Sequence, residues 1–322
     1  MATPDATGTE LFVAVEFPPE ADWLLALDPG GTRLAVSWRD ADCVLVVNAA
    51  TGRLFARLEG FRRVTGIAFL SAHELLATAF GGCFRCALPG GGRELLSEQG
   101  WQTCVTVSPG GGLVALGTDD GIELRDVGGG GSRWLRAGSG QHARRAAFSP
   151  GGRYVAAELG NEADRLPSLV GVWDAHTGRR QRVFDTTAYA FAFRGDTLSL
   201  AIADDRLQVL LYEPDRGEDP ASQFRIEQPW APLYGTAPAE ALQFRDGGRT
   251  LAVLLPDGHF VLYDVGAGRA LWHIPPPVGR SLWAAVANAD WSVFAAVARE
   301  GEGGVVIWPA VRAEPLYGLF SQ

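Results

Sequence analysis

Lysine is missing from this chain, and all 28 of its basic residues are arginine. Two causes give such a bias: a GC-rich genome that favours Arg, Ala and Gly codons, or selection against modification of side-chain amines. The absence also removes the lysine that a phosphate-binding P-loop sets before Ser or Thr. The glycine runs Gly90–Gly92 and Gly128–Gly131 are therefore read as turns, the second a flexible hairpin between outer strands. Cysteine is scarce too, and four in 322 residues (Cys43, Cys83, Cys86 and Cys104) do not make a disulfide scaffold. Cys83 and Cys86 form a C-x-x-C, but no second pair or nearby His pair completes a tetrahedral metal site. Residues three apart on a strand point to opposite faces, so packing is expected of both thiols. Neither metal nor cofactor is expected. No segment approaches the roughly 20 apolar residues of a membrane helix. Residues 1–10 lack the basic flank and apolar core of a secretory signal. A cytoplasmic protein without membrane contact is the expectation. The net charge of −9 lacks the positive surplus of a nucleic-acid binder, and no such partner is expected.

What the chain does contain is a repeating turn. It appears as Asp28-Pro-Gly-Gly, weakly as Ser71-Ala-His-Glu, then as Ser108-Pro-Gly-Gly and Ser149-Pro-Gly-Gly. Later versions are Arg194-Gly-Asp, Arg245-Asp-Gly-Gly and Asn288-Ala-Asp, at spacings of roughly 37–51 residues. A short apolar run precedes each turn and a second follows, as in Thr103-Cys-Val-Thr-Val and Leu113-Val-Ala-Leu. An acidic or glycine turn such as Asp119-Asp-Gly leads to a third run, for example Val170-Gly-Val-Trp or Phe260-Val-Leu-Tyr. Some units show a more polar fourth run, as in Arg180-Gln-Arg-Val-Phe. Short β-rich runs bounded by Gly, Pro and Asp are strands joined by tight turns. Four strands per unit and seven units give a closed, all-β, seven-bladed β-propeller. A lone four-stranded sheet cannot bury both faces, so the blades must stack and close. The expected blades are residues 23–60, 61–100, 101–140, 141–187, 188–230, 231–277 and 278–322 of one domain. Either residues 11–17 or the C-terminal strand supplies the outer strand that closes the ring.

The units resemble the WD40 pattern of F-S-P-D-G, D-G, hydrophobic-W-D and T-G. Ala147-Phe-Ser-Pro-Gly-Gly with Val172-Trp-Asp-Ala-His-Thr-Gly is the best copy. Leu124-Arg-Asp, Leu262-Tyr-Asp and Val46-Val-Asn-Ala-Ala-Thr-Gly are worn ones. The resemblance runs from about Trp23 to Val311. It implies a structural hydrogen bond for His142 in the fourth blade. It also implies a contact surface on the face made by the loops leading into the inner strands and the turns between second and third strands.

Those loops carry arginine and bulky aromatics, the residue types enriched where binding energy concentrates. They hold Arg62 and Arg63, Trp101, Arg144 and Arg145, Trp230 and Tyr234, and Trp283. The four arginines come from the second and fourth blades and form a candidate patch for a protein partner bearing an acidic or phosphorylated segment. The competing reading has Trp101 and Trp283 wedged between blades and the arginines solvated. Insertions at 160–168 and 213–220 fall on the contact face and the opposite face. The expected function is a non-catalytic protein-interaction scaffold or recognition module, such as a part of a multi-protein bacterial system. The alternative is a small-molecule-binding or hydrolytic propeller enzyme with an axial pocket. Small residues expected to face the axis (Ala26, Thr106, Ala147) favour the scaffold.

Overall fold

Four of the repeating turns are held by their own first residue. In the computed structural model, the oxygens of Asp28, Ser108, Ser149 and Asn288 accept the N–H five residues on, at 2.6, 3.0, 3.0 and 2.9 Å. The last glycine of the Pro-Gly-Gly turns takes φ of 64°, 70° and 76° at Gly31, Gly111 and Gly152. That left-handed region costs a side-chain-bearing residue about 1–2 kcal/mol, which is why glycine stands there. A second device ends the third strands. Asn48, Asp126, Asp174 and Asp264 accept N–H groups two or three residues ahead, folding the corner into the outer strand.

The structure describes residues 11–14, 21–90, 92–98, 101–136, 138, 141–161, 169–186, 188–204, 208–213, 220–225, 239, 241–255, 260–274, 282–288, 293–298 and 304–309. Among these, the chain forms seven four-stranded antiparallel sheets, the blades of one propeller ring. The first blade is β2–β5 (Trp23–Leu27, Arg33–Trp38, Val44–Asn48, Leu54–Leu58). The second is β6–β9 (Gly66–Ser71, Glu74–Ala79, Gly82–Ala87, Arg93–Ser97) and the third β10–β13 (Gln102–Val107, Leu113–Thr118, Gly121–Asp126, Ser132–Arg136). The fourth is β14–β17 (Gln141–Phe148, Tyr154–Asn161, Leu169–Asp174, Arg180–Phe184) and the fifth β18–β21 (Ala190–Phe193, Leu200–Ala203, Gln208–Tyr212, Ser222–Arg225). The sixth is β22–β25 (Ala241–Arg245, Thr250–Leu254, Phe260–Asp264, Arg269–Ile274). The seventh has β26–β28 (Leu282–Ala287, Val293–Ala298, Gly304–Pro309), and β1 (Leu11–Ala14) pairs antiparallel with β28 as its outer strand. The N-terminal segment thus closes the ring, with Leu11 and Val13 packed into the joint between the seventh and first blades. Residues 310–322 lie outside the described residues. No helix is long and apolar enough to cross a membrane among the described residues.

Among the described residues, the core divides into seven clusters, one at each joint between neighbouring blades. Alternation along the second strand sends its side chains to two different joints. On β3, Leu34 and Val36 face the seventh blade while Ala35 faces the second. On β11, Val114 and Leu116 face the second blade and Ala115 the fourth; on β15, Val155 and Ala157 face the third and Ala156 the fifth. On β3 and β11, large side chains on one face and alanine on the other let twisted sheets interdigitate. The C-x-x-C obeys the same rule. Cys83 lies in the joint of the second and third blades and Cys86 in that of the first and second, so one ion cannot take both. Burial pushes the Cys86 thiol up to about 11 and the Cys83 thiol higher still.

Arginine guanidiniums also span the joints, donating to backbone carbonyls. Arg133 reaches Ala175 at 2.8 Å, Arg182 reaches Glu213 at 2.9 Å and Arg194 reaches Gly248 at 3.0 Å, each on the following blade. Arg93 of the second blade reaches back to Gly60 at 3.0 Å. A planar fork with five donors suits that task better than an ammonium group does.

Candidate binding face

On the face formed by the inner-strand loops and the second-to-third-strand turns, three blades contribute to one exposed array. Arg62 and Arg63 stand in the loop between β5 and β6, Phe80 in the turn between β7 and β8, and Trp101 just before β10. Arg62 lies over the Phe80 ring at 5.2 Å from its centroid, and Arg63 over Trp101 at 4.8 Å. The two rings meet edge-on, 6.5 Å apart with 64° between their planes. Phe80 is 53% exposed, a large apolar surface to leave in water.

The backbone beneath this array is fixed from both sides. Phe80 N–H donates to the Arg62 carbonyl at 2.7 Å, Asp40 N–H to that of Val64 at 2.8 Å, and Val64 N–H to that of Ala41 at 2.9 Å. The Thr65 hydroxyl donates to the Gln102 carbonyl at 2.6 Å, tying the loop to the strand that follows Trp101. Phe61 anchors the loop, 4% exposed, with its ring 6.1 Å from that of Phe84. Asp40 and Arg63 both sit at left-handed φ, 69° and 58°. Non-glycine residues held there cost about 1–3 kcal/mol each and persist where surrounding contacts over-determine them.

The charges nearby pair unequally. Arg39 is bonded to Asp22 at 2.7 Å and Arg63 to Asp40 at 2.8 Å. The Arg62 guanidinium has its ring contact with Phe80 and no carboxylate or carbonyl partner among the described residues.

The structure brings together Arg62, Arg63 and Trp101. It does not place Arg144 and Arg145 in a loop: β14 begins at Gln141, and both arginines lie in the strand around a bulge between Ala143 and Arg145. A bulge re-aims the side chains beside it. Arg144 Nε donates to His142 Nε2 at 3.1 Å, so that histidine bonds an arginine rather than a carboxylate. Arg145 is directed to the fifth blade, donating to the Tyr189 carbonyl, with Glu158 Oε2 at 3.8 Å. Trp283 likewise falls inside strand β26, where its backbone pairs with Val297, rather than in the loop before it. Trp230 and Tyr234 lie outside the described residues, as does most of the 160–168 and 213–220 insertions. Ala26 is buried in the joint of the first and second blades, while Thr106 and Ala147 are half-buried.

Sequence reasoning missed Phe80 and Asp40. Phe80 ends an apolar run just before Gly81-Gly82, and its exposure follows from falling one residue past the strand end at Ala79. Asp40 falls between β3 and β4 and no sequence motif singles it out. Elsewhere, a cavity of about 130 Å³ opens between the sixth and seventh blades, lined by Leu242, Ala252, Phe260, Val286 and Phe294 among others. No protein-family model matches the chain, and no curated protein sequence is significantly similar to it.

Proposed function

We propose that this propeller is a WD40-like recognition module that holds a protein partner, without catalysis, on the face bearing Arg62, Arg63, Phe80 and Trp101. The observation that carries the reading is the array itself: an exposed Phe80 and a half-buried Trp101, each overlain by a guanidinium, on loops clamped by backbone hydrogen bonds. Aromatic and arginine side chains are enriched among the few residues that supply most of the energy at protein interfaces, and an arginine already laid on a ring has less freedom left to lose. The worn repeat motifs support the same assignment, since the matching face is the usual contact surface in the proteins they resemble. A cytoplasmic location, in which the module serves a larger assembly, fits this role.

Affinity purification of the tagged protein from its own cells, beside an Arg62→Glu/Phe80→Ala variant, tests it. A stoichiometric partner recovered with the wild type and lost from the folded variant is the expected result. The same partner at the same yield from both proteins removes the face from the argument. Purified protein that brings down no partner but carries a small molecule in its axial channel favours a ligand-binding or hydrolytic propeller instead.

A further inference from the structure

The joint between the sixth and seventh blades departs from a pattern that the other joints share. In each blade a middle residue of the second strand faces the next blade and pairs with one residue of the inner strand. That inner-strand residue is alanine, threonine or valine in six blades, as in Ala26 opposite Ala35 and Thr106 opposite Ala115. In the sixth blade it is Gln243, opposite Ala252. Directly paired residues on antiparallel strands share a face, so the amide is carried to the joint that Ala252 faces. There Gln243 stands in the wall of the cavity of about 130 Å³, half-buried, and its side chain makes no hydrogen bond among the described residues. The rest of the wall is apolar. Phe260 and Phe294 meet edge-on with centroids 4.8 Å apart, while Ala241, Ala252 and Ala287 are short side chains that leave the space beside them open. No charged side chain lines the cavity among the described residues.

We propose that this cavity is a binding site for a small neutral phenol, its ring seated against Phe260 and Phe294 and its hydroxyl bonded to the Gln243 amide. The site goes beyond the recognition face, which lies on the first three blades, and neither depends on the other. Size sets the first limit. A cavity of about 150 Å³ lined by apolar side chains admits benzene, so about 130 Å³ suits one ring and little more. The walls set the second, because an edge-to-face pair of rings offers a third ring both an edge and a face to pack on. Polarity sets the third. With no charge in the wall, an ionised ligand would give up its water without gaining a partner. A hydroxyl can both donate to and accept from one amide, whereas a plain hydrocarbon leaves that amide unbonded. A site that bonds a hydroxyl rejects the analogue lacking it more sharply than an apolar pocket does.

Titration of the full chain with phenol, toluene, cyclohexanol and benzoate, followed by ligand-observed NMR, tests this. Phenol should bind saturably with a Kd of about 1 mM or tighter. Toluene should bind about fivefold more weakly, for want of one hydrogen bond, and benzoate about tenfold more weakly, for want of its water. Two variants locate the site, each first shown to melt in a single transition. Ala252→Leu fills the cavity and should abolish phenol binding. Gln243→Met keeps the length of the side chain and removes the amide, so a ring should still bind but the preference for phenol over toluene should vanish. Gln243 is half-buried and methionine adapts to the space it is given, so this variant decides the case even where Ala252→Leu does not fold. No saturable phenol binding overturns the proposal. Phenol binding unchanged in Ala252→Leu also overturns it, since the site then lies elsewhere. Equal affinity for phenol and toluene in the wild type removes the amide from the site, and cyclohexanol bound as tightly as phenol removes the rings; either result overturns the assignment.

Discussion

Single side-chain oxygens decide where this chain turns, and Asp174 shows how. Its Oδ1 accepts the N–H groups of Thr177 at 2.8 Å and His176 at 3.0 Å, together with the Thr177 hydroxyl at 3.0 Å. Burial by itself raises that carboxyl, but the bonds from Thr177 and then His176 outweigh it and leave it below its ordinary value. A carboxylate depressed in the folded state stabilises the fold above the unfolded value, near 3.9. That contribution is lost as pH falls through the lower, folded value, so the window lies below about pH 4. Asp174→Ala should cost about 1 kcal/mol at neutral pH, reduced by partial solvent access, and the deficit should shrink in acid. Urea melts of wild type and variant at pH 7 and pH 3 check this. An equal deficit at both values would show that the charge is irrelevant to the corner.

At the scale of elements, the ring depends on a strand of four residues. β1 pairs with β28 over Leu11–Ala14, and alternate residues Leu11 and Val13 reach the same joint as Leu34, Val36 and Val297. Without this strand, β28 would be an unpaired edge and the last joint would open to water. Charged residues at both positions, Leu11→Asp/Val13→Asp, should therefore lower the thermal midpoint by several degrees and expose the seventh blade first. Limited proteolysis followed by mass mapping checks the order, with early cuts expected in the seventh blade. Early cuts in other blades at an unchanged midpoint would mean that closure does not rest on β1. The elements also set the limits of the loop assignments. β14 starts at Gln141 and β26 at Leu282, which takes Arg144, Arg145 and Trp283 out of the loops where a repeat pattern alone would put them. The bulge at Arg144 leaves no trace in local composition, because any residue can be the extra one.

For the whole molecule, the question is whether seven sheets act as one. The arginines that reach carbonyls on the next blade argue that they do, as do clusters that each draw on two blades. Removing one such link, Arg194→Ala, takes the bond to Gly248 and the 2.8 Å ion pair with Glu213 together. Charge-assisted hydrogen bonds contribute about 1.5–3 kcal/mol. The variant should unfold at lower denaturant in a single transition, with fluorescence and circular dichroism coincident. Two separated transitions would mean that blades melt independently.

Much of this was written in the order of residues. The turn residues Asp28, Ser108 and Ser149 with their glycines, the alternating apolar runs and the count of seven determined a closed all-β ring, because turn chemistry and strand period are local properties. Even the opposite placement of Cys83 and Cys86 followed from the period of two. The tertiary structure alone decided the rest. Sequence offered four arginines for one patch, and the ring assigned them differently: Arg62 left unpaired over Phe80, Arg63 shared between Asp40 and Trp101, Arg145 drawn to Tyr189 and Glu158. Several of those partners, Asp40, Trp101 and Tyr189, stand on neighbouring blades, up to 44 residues away along the chain. Which strand closes the ring was undetermined for the same reason, since β1 and β28 are brought together only when the circle is complete. Contacts between blades depend on which faces meet, and that is a property of the assembled ring.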